Sequence, residues 1–300
     1  MLALIAGGGD LPRRVAAEQP EPPFVCALEG NQRPRGLDVD RWFRLETLGT
    51  LLLELGEAGI TDICLCGSID RPALDPAKLD EETKPLVPLF MEALQKGDDG
   101  ALRLVMQLFE QTGFAIRAAH ELAPAIIAAP GIPTARQPRD THGTDAELGR
   151  SVLAEMGAAD LGQACVIRKG EVVAREDAAG TDAMLARLSL PVRGRPGEGD
   201  PLHWAFAPEG GLTPEAEAWL RGVNDAAFDG PAAGAILYKG PKPGQDRRAD
   251  LPTIGPATAM RAAEAGLDGI VIEAGGTIVL DQPQLVAILD AMRMFLWVRV

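Results

Sequence analysis

An apolar run, Leu2 to Ala6, ends abruptly in Gly7-Gly8-Gly9, and a helix-compatible stretch begins at about Leu11. That succession leaves few folds open. A hydrophobic strand that turns through glycines into a helix is the first arm of a βαβ unit, because a tight turn is needed to lay the helix back on the sheet. Phe24 to Leu28 continues as a second strand. An amphipathic helix near Leu45 to Ala58, a strand at Asp62 to Cys66 and helices over Pro85–Gln95 and Gly100–Thr112 extend the rhythm. The reading is α/β, with a Rossmann-like parallel sheet flanked by helices in the N-terminal domain, residues 1–123.

From Pro124 to Gly143 the prolines, including Pro130-Gly131-Ile132-Pro133, favour extended backbone. Residues 124–144 are therefore expected to be a Pro-rich linker, and residues 145–300 a second mixed α/β domain. Within it, Ala164–Arg168 and Glu171–Arg175 form a hairpin turned by Lys169-Gly170, and a helix starts at about Thr181. A strand at Gly234–Lys239, a helix at Ala257–Ala265, a strand at Gly269–Glu273 and a short pair around Gly275-Gly276 follow. The Gly-, Pro- and acid-rich stretch at about 193–231, with a helical pattern from Pro214 to Val223, reads as an insertion.

The formal charge of −14 argues against a nucleic-acid partner, which demands a basic face. It leaves room for one phosphate-bearing ligand, which needs only a local cluster of cations, backbone N–H groups or a metal. No apolar run reaches the length of a spanning helix, and the start lacks a basic n-region, so a cytoplasmic protein is expected. Cys26, Cys64, Cys66 and Cys165 sit in apolar stretches and read as buried free thiols rather than a zinc site, with Cys64 and Cys66 on the same side of a strand. His120, His142 and His203 have no triad or metal spacing and read as surface or linker residues. Ser68, Ser151 and Ser189 have no nucleophile-elbow context, which leaves activated water as the economical attacker.

Four places carry polar chemistry. The Gly7-Gly8-Gly9 turn could offer N–H groups to a phosphate, or be a tight turn that binds nothing. Lys96-Gly97-Asp98-Asp99-Gly100 puts two carboxylates on a glycine-broken loop before a helix, suited either to capping or to magnesium. Gly180-Thr181-Asp182 opens a helix, as a cap or as a second phosphate contact. The densest cluster, Lys239 to Thr253, holds lysines, arginines and aspartates between a strand and a proline-led helix, as a site loop or a solvated turn.

Taken in order, these motifs resemble one family. Leu4 to Gly9 with Leu11-Pro12, Gly67-Ser68-Ile69-Asp70-Arg71-Pro72, Lys96 to Asp99, Gly162-Gln163, Glu176 with Gly180 to Leu185, and Lys242 to Asp246 through Asp250-Leu251-Pro252-Thr253-Ile254-Gly255 follow the pattern of the LpxI family, UDP-2,3-diacylglucosamine pyrophosphatases of lipid A biosynthesis. The resemblance implies Mg2+-dependent hydrolysis of UDP-2,3-diacylglucosamine to UMP and 2,3-diacylglucosamine 1-phosphate (lipid X), with the lipid sugar clamped between the two halves. On that basis Asp250, Asp98 and Asp99 are the catalytic and metal candidates, with Asp182 next. Lys96, Lys239, Lys242 and Arg71 are the phosphate-holding candidates, and Gly8, Gly9, Leu11, Gly67, Ser68, Gly180, Thr181 and Thr253 complete the expected substrate contacts. The chain departs from the family at about 193–231, where it is longer.

A diacyl substrate implies transient peripheral contact with the inner face of the inner membrane, with Trp204 or Phe206 at an apolar mouth; a homodimer is compatible. Two rival readings remain: an NAD-using nucleotide-sugar enzyme, disfavoured by the missing dinucleotide fingerprint, and a non-catalytic UDP-lipid or nucleotide-sugar binding protein.

Overall fold

The computed structural model describes residues 1–69, 74–89, 97–159, 161–189, 204–207, 211–227 and 230–300. The chain divides into two compact units: Met1–Ala125 with Gln245–Asp250, and Ile126–Gly244 with Leu251–Val300.

The first unit is built on five parallel strands, β1 (Leu2–Ala6), β2 (Phe24–Leu28), β3 (Arg41–Phe43), β4 (Asp62–Cys66) and β5 (Ala115–Ile116), in the order β3-β2-β1-β4-β5. This is the Rossmann-like sheet expected from the opening motif. The short β3 and β5 at its edges were not legible from periodicity. Helix α1 (Leu11–Ala17) starts with Pro12, whose fixed φ suits a first helical turn. Helix α2 (Leu48–Glu57) buries Leu48, Leu51, Leu52 and Leu55, one face at the i, i+3, i+4, i+7 spacing of a 3.6-residue period. Helix α3 (Gly97–Gln111) adds Met106 and Phe109 to the same core, against Ile5, Ile63 and Leu65.

Gly97–Gln111 is helical, so the backbone of Asp98 and Asp99 lies in helix rather than on a loop before it. Cys64 and Cys66 do face the same side of β4, and both are buried. The neighbouring Cys64 thiol, with burial, pushes the Cys66 thiol well up, and burial raises Cys26 to about 12, so both stay protonated and inert at neutral pH.

In the second unit α4 (Asp140–Ala158) precedes the hairpin β6 (Ala164–Arg168) and β7 (Glu171–Arg175). Then follow α5 (Gly180–Leu188), α6 (Pro214–Ala227), β8 (Ile236–Lys239), β9 (Thr253–Ile254), α7 (Pro256–Glu264), β10 (Gly269–Glu273), β11 (Ile278–Val279), α8 (Gln282–Ala291) and β12 (Phe295–Arg299). The sheet order is β12-β10-β8-β6-β7, with β8, β10 and β12 parallel and β6 antiparallel to both neighbours. Lys169 and Gly170 both take positive φ, as a two-residue hairpin turn requires.

Both faces of this sheet are covered. Cys165, Ile167, Ile236, Tyr238 and Val271 face α4, while Val166, Leu237, Ile270 and Ile272 face the other way into the larger core. Gly149 of α4 lets Tyr238 approach: a Cβ there would sit 2.7 Å from the tyrosine side chain.

Three expectations change. Residues 126–139 are built into the second unit: Gly131 exchanges both backbone hydrogen bonds with Val298 of β12 (3.0 and 2.9 Å), and the buried Thr134 hydroxyl accepts from Leu296 N. Such an edge position tolerates the flanking prolines, which need no ladder bonds of their own. Instead of a pair around Gly275-Gly276, β11 joins β9 in a separate two-stranded parallel sheet, because β10 already has β8 and β12 on its two sides. Trp204 and Phe206 pack on the larger core, Trp204 edge-on to Trp219 with ring centres 5.6 Å apart, instead of standing at a mouth.

Candidate active site

In the first unit the strand order reverses at β1, and the carboxyl ends of β1 and β4 mark the switch point at which open α/β sheets place their ligands. The loops leaving these strands are tied together there. Gly7 N donates to Cys66 O, Gly8 N to Ser68 O and Ser68 N to Gly8 O, at 2.8, 2.8 and 3.0 Å. A Cβ at Gly7 would lie 2.3 Å from Ser68 O, and one at Gly67 would lie 2.8 Å from Gly8 O. The glycines thus permit two loops to touch, and the Gly7 and Gly8 amides are already engaged. Gly9 has φ +88° with open space around the missing side chain. Leu11 opens α1 beside this crossing.

In the second unit, strand registers gather the polar motifs at one end of the sheet. Antiparallel pairing sets Ala164, at the start of β6, opposite Lys239, at the end of β8, and Gly240 N donates to Gln163 O at 3.2 Å. The end of β7 returns to the same place, with Glu176 N donating to Ala164 O at 3.0 Å. Parallel β10 brings Glu273 alongside, where its carboxylate accepts from Tyr238 Oη at 3.1 Å.

Helix α5 enters this cluster by its N-terminus. The Lys239 ammonium donates to Thr181 Oγ1 at 2.8 Å, and the Thr181 hydroxyl donates to Glu176 Oε2 at 3.0 Å. Burial pulls the Lys239 pKa down from its ordinary value, against the opposing pull of Glu176 and Asp182. Gly180 sits in the left-handed region at φ +86°, which lets the chain turn from the Asp177 loop into the helix. Lys239, Thr181, Asp182 and Gly180 are therefore brought together.

The stretch after β8 is divided between the units. Lys242 and Pro243 lie against Gly157 of α4, and Thr253 lies in β9. Gln245–Asp250 belongs with the first unit. Arg248 pairs there with Glu110 of α3 at 2.5 Å and with Asp246 at 2.8 Å, and Ala249 packs on the first core. The Arg248 side chain, chiefly by hydrogen bonding, holds Asp246 below the usual carboxylate range. Asp250 accepts a hydrogen bond from the Gln245 amide. The side chains of Asp98 and Asp99, and Arg71 and Lys96 altogether, lie outside the described residues.

Some functional geometry escaped the sequence reading. Glu176 stood out only as part of a motif, and Glu273 and Tyr238 not at all; a carboxylate directly after a strand was the available signal. His142 was misread as a surface or linker residue. It is buried, its Nδ1 accepting from Arg139 N at 3.0 Å and its Nε2 lying 3.1 Å from Asp268. Its position at the start of α4, three residues from Arg139, makes it a capping group, a role invisible to a search for triads.

The comparisons with known proteins match both halves of the chain. The LpxI N-terminal domain matches residues 1–126, and the LpxI C-terminal domain matches residues 129–198 and 216–297. The chain belongs to the LpxI family. A relative from Caulobacter vibrioides (strain ATCC 19089 / CIP 103742 / CB 15), named UDP-2,3-diacylglucosamine pyrophosphatase LpxI, is 33% identical over 301 residues, covering 98% of this chain and 95% of that protein. The break in the LpxI C-terminal match, between residues 198 and 216, falls inside the stretch read as an insertion.

Proposed function

We propose that this chain hydrolyses UDP-2,3-diacylglucosamine to UMP and 2,3-diacylglucosamine 1-phosphate in lipid A biosynthesis. The observation that carries this reading is the 33% identity, over 98% of this chain, to a named UDP-2,3-diacylglucosamine pyrophosphatase. The second-unit cluster supports it chemically. A half-buried lysine held by a threonine hydroxyl at a helix N-terminus is suited to phosphate oxygens, since charge and hydrogen-bond donors converge with little water to compete.

In this reading Lys239, Thr181, Gly180 and Asp182 hold the substrate phosphates, while Lys242, Arg71, Lys96, Gly8, Gly9, Leu11, Gly67, Ser68 and Thr253 are substrate contacts proposed from the family motifs alone. Asp250, steadied by Gln245, orients or deprotonates the attacking water. Asp250, Asp98 and Asp99 would also hold Mg2+, and their hard oxygen donors fit such an ion, which binds through one or two carboxylates and water. The bound ion would offset charge developing on the phosphorus. No described helix is long and apolar enough to cross a membrane, and the proposed location is the cytoplasm, with transient contact at the inner face of the inner membrane.

The test is UMP release from detergent-dispersed UDP-2,3-diacylglucosamine, with and without Mg2+, beside Asp250→Ala. Metal-dependent release lost in the variant is expected. Binding of the lipid without release under any divalent metal would leave a UDP-lipid binding protein.

A further inference from the structure

Glu176 lies just beyond β7, and its carboxylate has two partners that matter. Oε2 accepts from the backbone N of Gln163 at 3.1 Å and from the Thr181 hydroxyl at 3.0 Å. Thr181 in turn accepts from the Lys239 ammonium at 2.8 Å. The approach is tight by construction. Gly162 takes φ +47°, and a Cβ there would lie 2.7 Å from Glu176 Cβ and 2.8 Å from its carbonyl oxygen, so only glycine admits Glu176 at this distance. One carboxylate oxygen therefore ties the start of β6 to the first turn of α5, and through it to the end of β8.

From this relay we infer that Glu176 is a positioning residue for the pyrophosphatase reaction: it fixes the Thr181 hydroxyl so that the Lys239 ammonium is held at the N-terminus of α5, where a substrate phosphate would bind. The inference rests on the reading of Lys239 as a phosphate-binding cation. Glu176 itself has no contact with substrate in this scheme. It acts through direction: a threonine hydroxyl whose hydrogen is committed to a carboxylate presents its lone pair to the lysine, and the ammonium keeps its remaining donors for phosphate. Its negative charge also counters the burial that disfavours a charged lysine.

The experiment compares the full chain as wild type, Glu176→Ala, Glu176→Gln, Lys239→Met and Glu176→Ala/Lys239→Met, by kcat/KM for UMP release. In parallel, the rate at which an amine-reactive reagent labels Lys239 is read by peptide mass mapping. Glu176→Ala should lower kcat/KM by about 10–100-fold, the cost of misplacing a binding group by roughly an ångström. Glu176→Gln, which keeps an acceptor oxygen, should recover most of that loss. In the Lys239→Met background Glu176→Ala should cost nothing further, because the two residues act as a unit.

Labelling of Lys239 should be several-fold faster in Glu176→Ala than in wild type. Equal losses in both backgrounds, or an unchanged kcat/KM or labelling rate in Glu176→Ala, overturn the inference. Should Glu176→Ala not fold, Thr181→Val cuts the same relay from the other side and must show the same non-additivity and faster labelling. If wild type releases no UMP, the proposed function fails, while the labelling rates still decide whether Glu176 restrains Lys239.

Discussion

Asp268 shows how one carboxylate can serve stability rather than chemistry. Burial pushes its pKa up, yet the hydrogen bond with His142 and the charges of Arg136 (2.9 Å) and Arg139 outweigh it, and the net shift is downward. A carboxylate with a lowered folded-state pKa stabilises above its unfolded value and loses that contribution as pH falls through the folded value. Unfolding followed from pH 7 into the acid range should therefore show a step below about pH 4 that Asp268→Asn removes. At pH 7 the variant should lose about 1–3 kcal/mol in urea denaturation, since a neutral amide replaces the charge that Arg136, Arg139 and His142 share. Lys239 carries the opposite lesson. Its pKa is lowered from 10.5 by burial, so the charge needed for phosphate is lost earlier on the alkaline side. The alkaline limb of kcat/KM should fall below pH 10.5 in wild type, and Lys239→Arg should abolish that limb while lowering the rate, because a guanidinium stays charged but does not reproduce the ammonium's geometry.

Among the elements, α4 and β8 meet most closely at a contact that sequence periodicity does not announce. Tyr238 is fully buried, its ring under Gly149 and its hydroxyl on Glu273. Gly149→Ala would place a methyl 2.7 Å from the Tyr238 side chain and should cost about 1–3 kcal/mol in thermal or chemical unfolding, as overpacking does. A helix-propensity argument alone gives the opposite sign, because alanine favours a helix interior by roughly 1 kcal/mol over glycine. The measurement thus separates packing from propensity. The same reasoning covers the β1 and β4 loops, where glycines serve backbone-to-backbone contact before any ligand.

Across the whole molecule, the segment Gln245–Asp250 returns from late in the chain to pack with the first unit. Its Arg248 pairs are partly exposed, and such pairs contribute little to global stability. Arg248→Ala should leave the melting temperature within a few degrees of wild type yet reduce kcat/KM by about tenfold, because it loosens the segment that carries Asp250. The β1-turn-α1 opening, the leucine face of α2 and the Lys169-Gly170 hairpin were legible in the sequence, since each is fixed by residues a few positions apart. So were the family motifs, whose order along the chain needs no coordinates. Short edge strands β3 and β5, the pairing of β11 with β9, the burial of His142 and the Glu176–Thr181–Lys239 relay were not. Each depends on which distant segments the sheet registers bring side by side, and that choice is made by packing both faces of a sheet, which no local pattern encodes.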